Sequence, residues 1–131
     1  MLPSNAKRLR TIAVVGASTD RRKYGNKCVR AYARAGWKVF PVNPRAGKIE
    51  GLQSFAKLAK VPVELDRVSV YLPPAVTLEV LAEIAASGAA LTFFNPGAAN
   101  ETVVAEARAL GFDFSLDCSI VDIGLNPSQF P

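Results

Sequence analysis

Between Gly16 and Asn26 the chain sets small, hydroxylated and cationic residues side by side. They are Gly16-Ala17-Ser18, then Arg21-Arg22-Lys23, then Tyr24-Gly25-Asn26. The four residues before them, Ile12-Ala-Val-Val15, read as a buried strand, and a helical pattern begins after Gly25. A strand that feeds a glycine-bearing loop and then a helix is suited to holding a phosphate. The first amides of the helix lack intrahelical partners, and its macrodipole adds about half a positive charge at that end. The spacing is not Gly-x-Gly-x-x-Gly, since eight residues separate Gly16 from Gly25. Spacing alone therefore fits a solvated turn as well as an anion site.

A second polar group, Asn43-Pro44-Arg45 with Lys48, follows the next apolar run. An NAD site usually carries Asp or Glu there, to bind the ribose 2′-hydroxyl. Here no carboxylate occurs before Glu50. Asn43 can hydrogen-bond a ribose or base, while Arg45 and Lys48 favour an extra phosphate on the sugar. NADP, with a 2′-phosphate, and coenzyme A, with a 3′-phosphate, both fit this pattern.

Cys28 is expected in the first turn of the helix, beside Lys27 and Arg30. A helix N-terminus and nearby cations favour thiolate, so Cys28 is a candidate for a mixed disulfide with a ligand thiol. The alternative is a small buried hydrophobe on the inner helix face. Cys118 follows the last strand pattern. With no histidine in the chain, imidazole catalysis, phosphohistidine and histidine-ligated zinc are excluded.

Strict alternation of strand and helix must position these groups. Strands are expected at 12–15, 37–42, 67–72, 90–94 and 112–116, and helices at 26–35, 76–87 and from Asn100 to Gly111, with a short helix near Ser54. Three segments share one rhythm: Ala35-Gly36-Trp37, Ser87-Gly88-Ala89 and Leu110-Gly111-Phe112. Each reads as helix end, glycine, strand start. The fold class is therefore α/β, a Rossmann-like, doubly wound, parallel five-stranded sheet in three α/β/α layers. Pro44, Pro73, Pro74 and Pro96 lie just past expected strand ends, where the ligand crevice of such sheets opens. Together they suggest a rigid wall suited to a flat base.

One domain is expected over 1–131, with a polar arm at 1–10 and a tail at 122–131. No signal peptide and no run long enough to span a bilayer is present, which makes the cytoplasm the expected location. The net charge of +5 hides an asymmetry. Residues 1–60 hold fourteen Lys/Arg against two acids, and residues 61–131 hold two against nine. This split suggests that one side of the molecule meets an anion. Nucleic acid is disfavoured, because no helix-turn-helix pattern occurs and Trp37, Phe40, Phe93 and Phe94 fall in strands expected to be buried.

Gly16-Ala-Ser18, Tyr24-Gly-Asn26, Val39-Phe-Pro-Val-Asn-Pro44, Ile49-Glu-Gly51, Leu72-Pro-Pro74 and Asn95-Pro-Gly97 occur in this order. In this the chain resembles the stand-alone CoA-binding proteins, a family similar to the N-terminal domain of the succinyl-CoA synthetase α-subunit. The resemblance covers about residues 8–121 and implies non-catalytic binding of coenzyme A or acyl-CoA. It implies that Gly16, Ala17 and Ser18 approach the pyrophosphate, and that Tyr24, Gly25 and Asn26 shape the loop and helix start. Asn43 and Pro44 would sit beside ribose and adenine, with Arg45 or Lys48 near the 3′-phosphate. Leu72, Pro73 and Pro74 would line the adenine face, and Asn95, Pro96 and Gly97 would face the pantetheine arm. Ligation through a phosphohistidine is not expected of this chain alone. A protein partner, a homo-oligomer, or a role as NADP-binding or CoA-supplying subunit of a larger enzyme are the alternatives.

Overall fold

The computed structural model describes residues 8–131. Most of the polar arm, residues 1–7, lies outside the described residues. Five strands form one parallel sheet: β1 (Thr11–Val15), β2 (Lys38–Val42), β5 (Arg67–Val70), β6 (Leu91–Phe94) and β7 (Phe114–Ser115). Their order is β2-β1-β5-β6-β7. Two more strands, β3 (Lys48–Ile49) and β4 (Leu52–Gln53), make a separate hairpin.

Side chains alternate across the sheet and create two cores. Ala13 and Val15 of β1, with Val68, Val70 and Phe94, face α2 (Pro74–Ser87) and α3 (Glu101–Leu110). Ile12 and Val14 face α1 (Tyr24–Arg34) and α4 (Ser119–Asp122), where Val29, Tyr32 and Ile120 are fully buried. The result is the expected three-layer, doubly wound α/β domain. Helix ends follow the expected rhythm: Gly88 and Gly111 cap α2 and α3 at φ 67° and 83°, and Gly36 follows α1 at φ 91°. The Asn100 side chain accepts the Val103 N–H at 3.0 Å and caps α3, as its position predicts.

The structure departs from the expected elements in four places. α1 begins at Tyr24 rather than Asn26, so Cys28 lies in its second turn. The stretch after β2 contains the β3–β4 hairpin, whose Glu50-Gly51 turn has positive φ at both residues (51° and 77°). That is the turn geometry matching the twist of a two-residue hairpin. Where a helix was expected near Ser54, only a 3₁₀ turn at Leu58–Lys60 forms. The last segment is not a loose tail: α4 and a 3₁₀ turn at Pro127–Gln129 return along α1 and bury Phe130. The Arg34 guanidinium stacks 4.5 Å above the Phe130 ring.

Candidate functional site

The strand order reverses between β1 and β5, because the chain goes from β1 outward to β2 and then returns to the other side of β1. At that point the C-terminal ends of the two strands diverge, and a crevice must open. A cavity of about 880 Å³ lies there. Its lining includes Gly16, Ala17 and Ser18 after β1, Lys23, Tyr24 and Gly25 at the start of α1, and Asn43 and Pro44 after β2. Leu72 and Pro73 after β5 and Pro96 and Gly97 after β6 complete the expected part of its wall.

Two glycines bring the walls of this cavity together. Gly16 has φ 90°, and a Cβ there would overlap the Tyr71 carbonyl, reaching 2.8 Å from its carbon. Gly25 is helical, yet a Cβ there would overlap the Gly16 carbonyl, 3.1 Å from its carbon. Backbone is thus stacked on backbone three layers deep, from β5 through the β1–α1 loop to α1. No side chain caps the N-terminus of α1, whose N-cap residue is Lys23. The uncapped first turn of α1 and Lys23 line one part of the cavity, where the helix dipole would stabilise a diphosphate.

Part of the lining comes from the 3₁₀ segment that stands where a helix was expected. Ala56, Lys57 and Leu58 approach Val76, Glu79, Val80 and Glu83 of α2 there. Sequence reasoning missed this group. Lys57 gave no signal, because only the replacement of a helix by a 3₁₀ turn brings it to the crevice. Glu83 also accepts the Ala59 N–H at 3.1 Å and so fixes the position of this segment.

Several of the expected site residues also hold the scaffold together. Asn43 donates to the Ala17 carbonyl at 2.8 Å and accepts the Arg45 and Ala46 N–H groups, so its amide is consumed within the protein. Asn26 is buried and donates to the Ser18 carbonyl and the Glu50 carboxylate, while accepting from Arg30 at 2.7 Å. Asn95 is buried too, donating to Ser69 and the Val70 carbonyl and accepting the Ser119 N–H. Arg22 is exposed and pairs with Asp20 at 3.1 Å, an interaction that holds the Asp20 carboxyl down at about 2. Pro74 is the first residue of α2. Arg45 and Lys48 are exposed and lie outside the cavity lining.

Of the two readings of Cys28, the structure agrees with the small buried hydrophobe. Cys28 is fully buried on the inner face of α1, within hydrogen-bonding reach of Ser69 and Ser119 at 3.6 Å each. Burial pushes its thiol pKa up, outweighing the hydroxyl contacts. Ser119 is the hub of this buried network: its hydroxyl meets Ser69 at 2.7 Å, and its carbonyl accepts from Tyr32 at 2.8 Å. The Tyr32 hydroxyl, pushed up to about 12 by burial, also accepts from Arg67 at 3.0 Å.

The charge split between the halves of the chain does not become a split between the ends of the molecule. Arg10, Lys38 and Arg67 lie at the opposite, N-terminal edge of the sheet, at or just before the first residues of their strands. Arg10 and Arg67 stack on Trp37 there, at 5.4 and 5.0 Å. Phe40, Phe93 and Phe94 are buried and offer no stacking platform. Among the described residues no acidic, cysteine or histidine cluster could hold a metal, and no helix is long and apolar enough to cross a membrane.

Comparison with known proteins extends this picture. The family described as CoA binding domain matches residues 10–124. An ADP-forming acetate–CoA ligase II of Archaeoglobus fulgidus is 35% identical over 81 residues, covering 60% of this chain and 12% of that protein. The α-subunit of an ADP-forming acetate–CoA ligase II of Pyrococcus furiosus is 31% identical over 80 residues, covering 60% of this chain and 18% of the subunit. The chain thus spans less than a fifth of either curated relative. The solved structure of a conserved hypothetical protein from Pyrococcus furiosus superimposes with a TM-score of 0.81 at 34% identity, covering 87% of this chain and 99% of that one. The family match runs from just before β1 to just past α4, across the whole sheet and every loop that shapes the switch-point cavity, and the chain belongs to the CoA-binding domain family.

Proposed function

We propose that the switch-point cavity binds coenzyme A or an acyl-CoA without itself performing chemistry on it. The observation that carries this reading is the arrangement of the cavity's two ends. At one end an uncapped helix, Lys23 and closely packed glycine backbone favour a diphosphate. At the other, Pro44, Leu58, Pro73 and Val80 supply stiff apolar surface for a base, and Lys57, which shares this lining with Glu79 and Glu83, supplies a positive charge for the sugar phosphate. The pantetheine arm then leaves over Pro96 and Gly97. About 880 Å³ accommodates a ligand of this class.

Titration calorimetry with coenzyme A, dephospho-CoA, NADP and NAD tests the assignment. Coenzyme A should bind most tightly, and NADP binding more tightly than coenzyme A would reverse it. A second reading, a subunit that presents the cofactor to a separate catalytic chain, draws support from the relative that is itself a ligase α-subunit. Both readings use the same cavity. Thiol exchange at Cys28 forms no part of either.

A further inference from the structure

The loop between β6 and α3, residues 95–100, has cavities on both sides. Pro96 and Ala98 line the large cavity, whereas Asn95, Ala99 and Asn100 line a second groove of about 420 Å³. Gly97 lines both. It has φ 91°, and a Cβ built on it would meet nothing within 4 Å, so no side chain stands at the point the two cavities share. Beyond it, Phe94, Ala99, Val104, Ala105 and Leu116 give the groove an apolar surface, with Glu101 and Arg108 also among its residues. Leu116 is 53% exposed, a large apolar side chain left facing water at the groove.

We propose that this groove is an acyl subsite, which makes the ligand an acyl-CoA with a short apolar chain. The inference rests on the reading of the large cavity as the coenzyme A site. An arm that leaves that cavity over Pro96 and Gly97 brings its sulfur to that shared point, and a group attached to the sulfur continues into the groove. The apolar surface then covers the chain as the chain covers Leu116. Each buried methylene contributes about a three- to fourfold gain in affinity. A carboxylate-ended chain gains less, because it must leave water for a mainly apolar channel.

Calorimetry with coenzyme A, butyryl-CoA, hexanoyl-CoA and succinyl-CoA provides the test, using the wild type and Ala105→Trp. Ala105 is exposed on α3, so the larger side chain fills the groove without entering the core. Butyryl-CoA should bind the wild type about tenfold more tightly than coenzyme A, hexanoyl-CoA more tightly still, and succinyl-CoA less tightly than butyryl-CoA. Ala105→Trp should return the butyryl ratio to about one while leaving coenzyme A unchanged. Leu116→Asp should do the same and serves if the first variant folds poorly. Acyl chains that add no affinity to normally bound coenzyme A would overturn the acyl subsite alone. Failure of coenzyme A and every thioester to bind would overturn the reading of the large cavity, and the subsite with it.

Discussion

At the scale of single residues, Gly25 behaves against intuition. It sits inside α1, where alanine is normally better by about 1 kcal/mol. The overlap of its missing Cβ with the Gly16 carbonyl reverses that preference, because backbone cannot move aside as a flexible side chain can. Gly25→Ala should therefore destabilise the protein by about 1–3 kcal/mol in chemical denaturation. Gly16→Ala adds an unfavourable positive φ to the same kind of collision and should cost more than Gly25→Ala. A stabilised Gly25→Ala would show that the helix does not pack on this loop. Cys28 makes a second residue-scale prediction. Its thiol is buried and held neutral, whereas Cys118 is partly exposed. Thiol reagents and oxidised coenzyme A should label Cys118 first and leave Cys28 unmodified in the native protein. Mass spectrometry showing a Cys28 adduct on the folded chain would contradict the buried position.

Among elements, the β5 edge is tied to β1 through Asp66, which accepts from Arg8 at 3.0 Å and from the Thr11 N–H at 2.8 Å. These contacts, led by the Arg8 hydrogen bond, lower the Asp66 pKa below its ordinary value. A carboxyl depressed in the folded state contributes stability that is complete above its unfolded pKa of about 4 and is lost as pH falls through the lower folded value. Asp66→Asn should be less stable at pH 7 and lose less stability than the wild type between about pH 4 and pH 2. Parallel acid limbs in the two proteins would remove the pair from the account. The alternation of strands and helices was legible because apolar strand runs and glycine helix ends are local signals, as Gly36, Gly88 and Gly111 show. The β3–β4 hairpin was not, since its turn places Glu50 rather than Asn or Gly at positive φ. The reversal of the last segment along α1 was hidden too, because Phe130 packs under Arg30 and Arg34, about a hundred positions earlier in the chain.

At the scale of the whole molecule, the candidate site was legible wherever it is made of loops that directly follow strands. Gly16 to Ser18, Pro44, Pro73, Pro96 and Gly97 all reach the cavity for that reason. Polar side chains of the expected site also serve the backbone: Asn26, as expected of a residue that shapes the loop, and Asn43 and Asn95 close loops through their amides. The charged residues spread more widely than the two halves of the sequence suggest. The basic half of the sequence divides between both edges of the sheet, and Lys57 reaches the crevice while Arg45 and Lys48 do not line it. Lys57→Ala should therefore narrow the preference for coenzyme A over dephospho-CoA by about tenfold, in keeping with loss of a charge-assisted phosphate contact. The paired change Arg45→Ala with Lys48→Ala should alter that preference by less than about twofold. The opposite ranking in calorimetry would move the sugar phosphate to the hairpin side.

The most direct test follows amide shifts by NMR as coenzyme A is added to isotopically labelled protein. The largest changes should fall on Gly16 to Ser18, Lys23 to Gly25, Lys57 and Leu58, and Pro96-flanking residues such as Gly97. Changes concentrated instead at Arg10, Lys38 and Arg67, on the far edge of the sheet, would contradict a cofactor seated at the switch point.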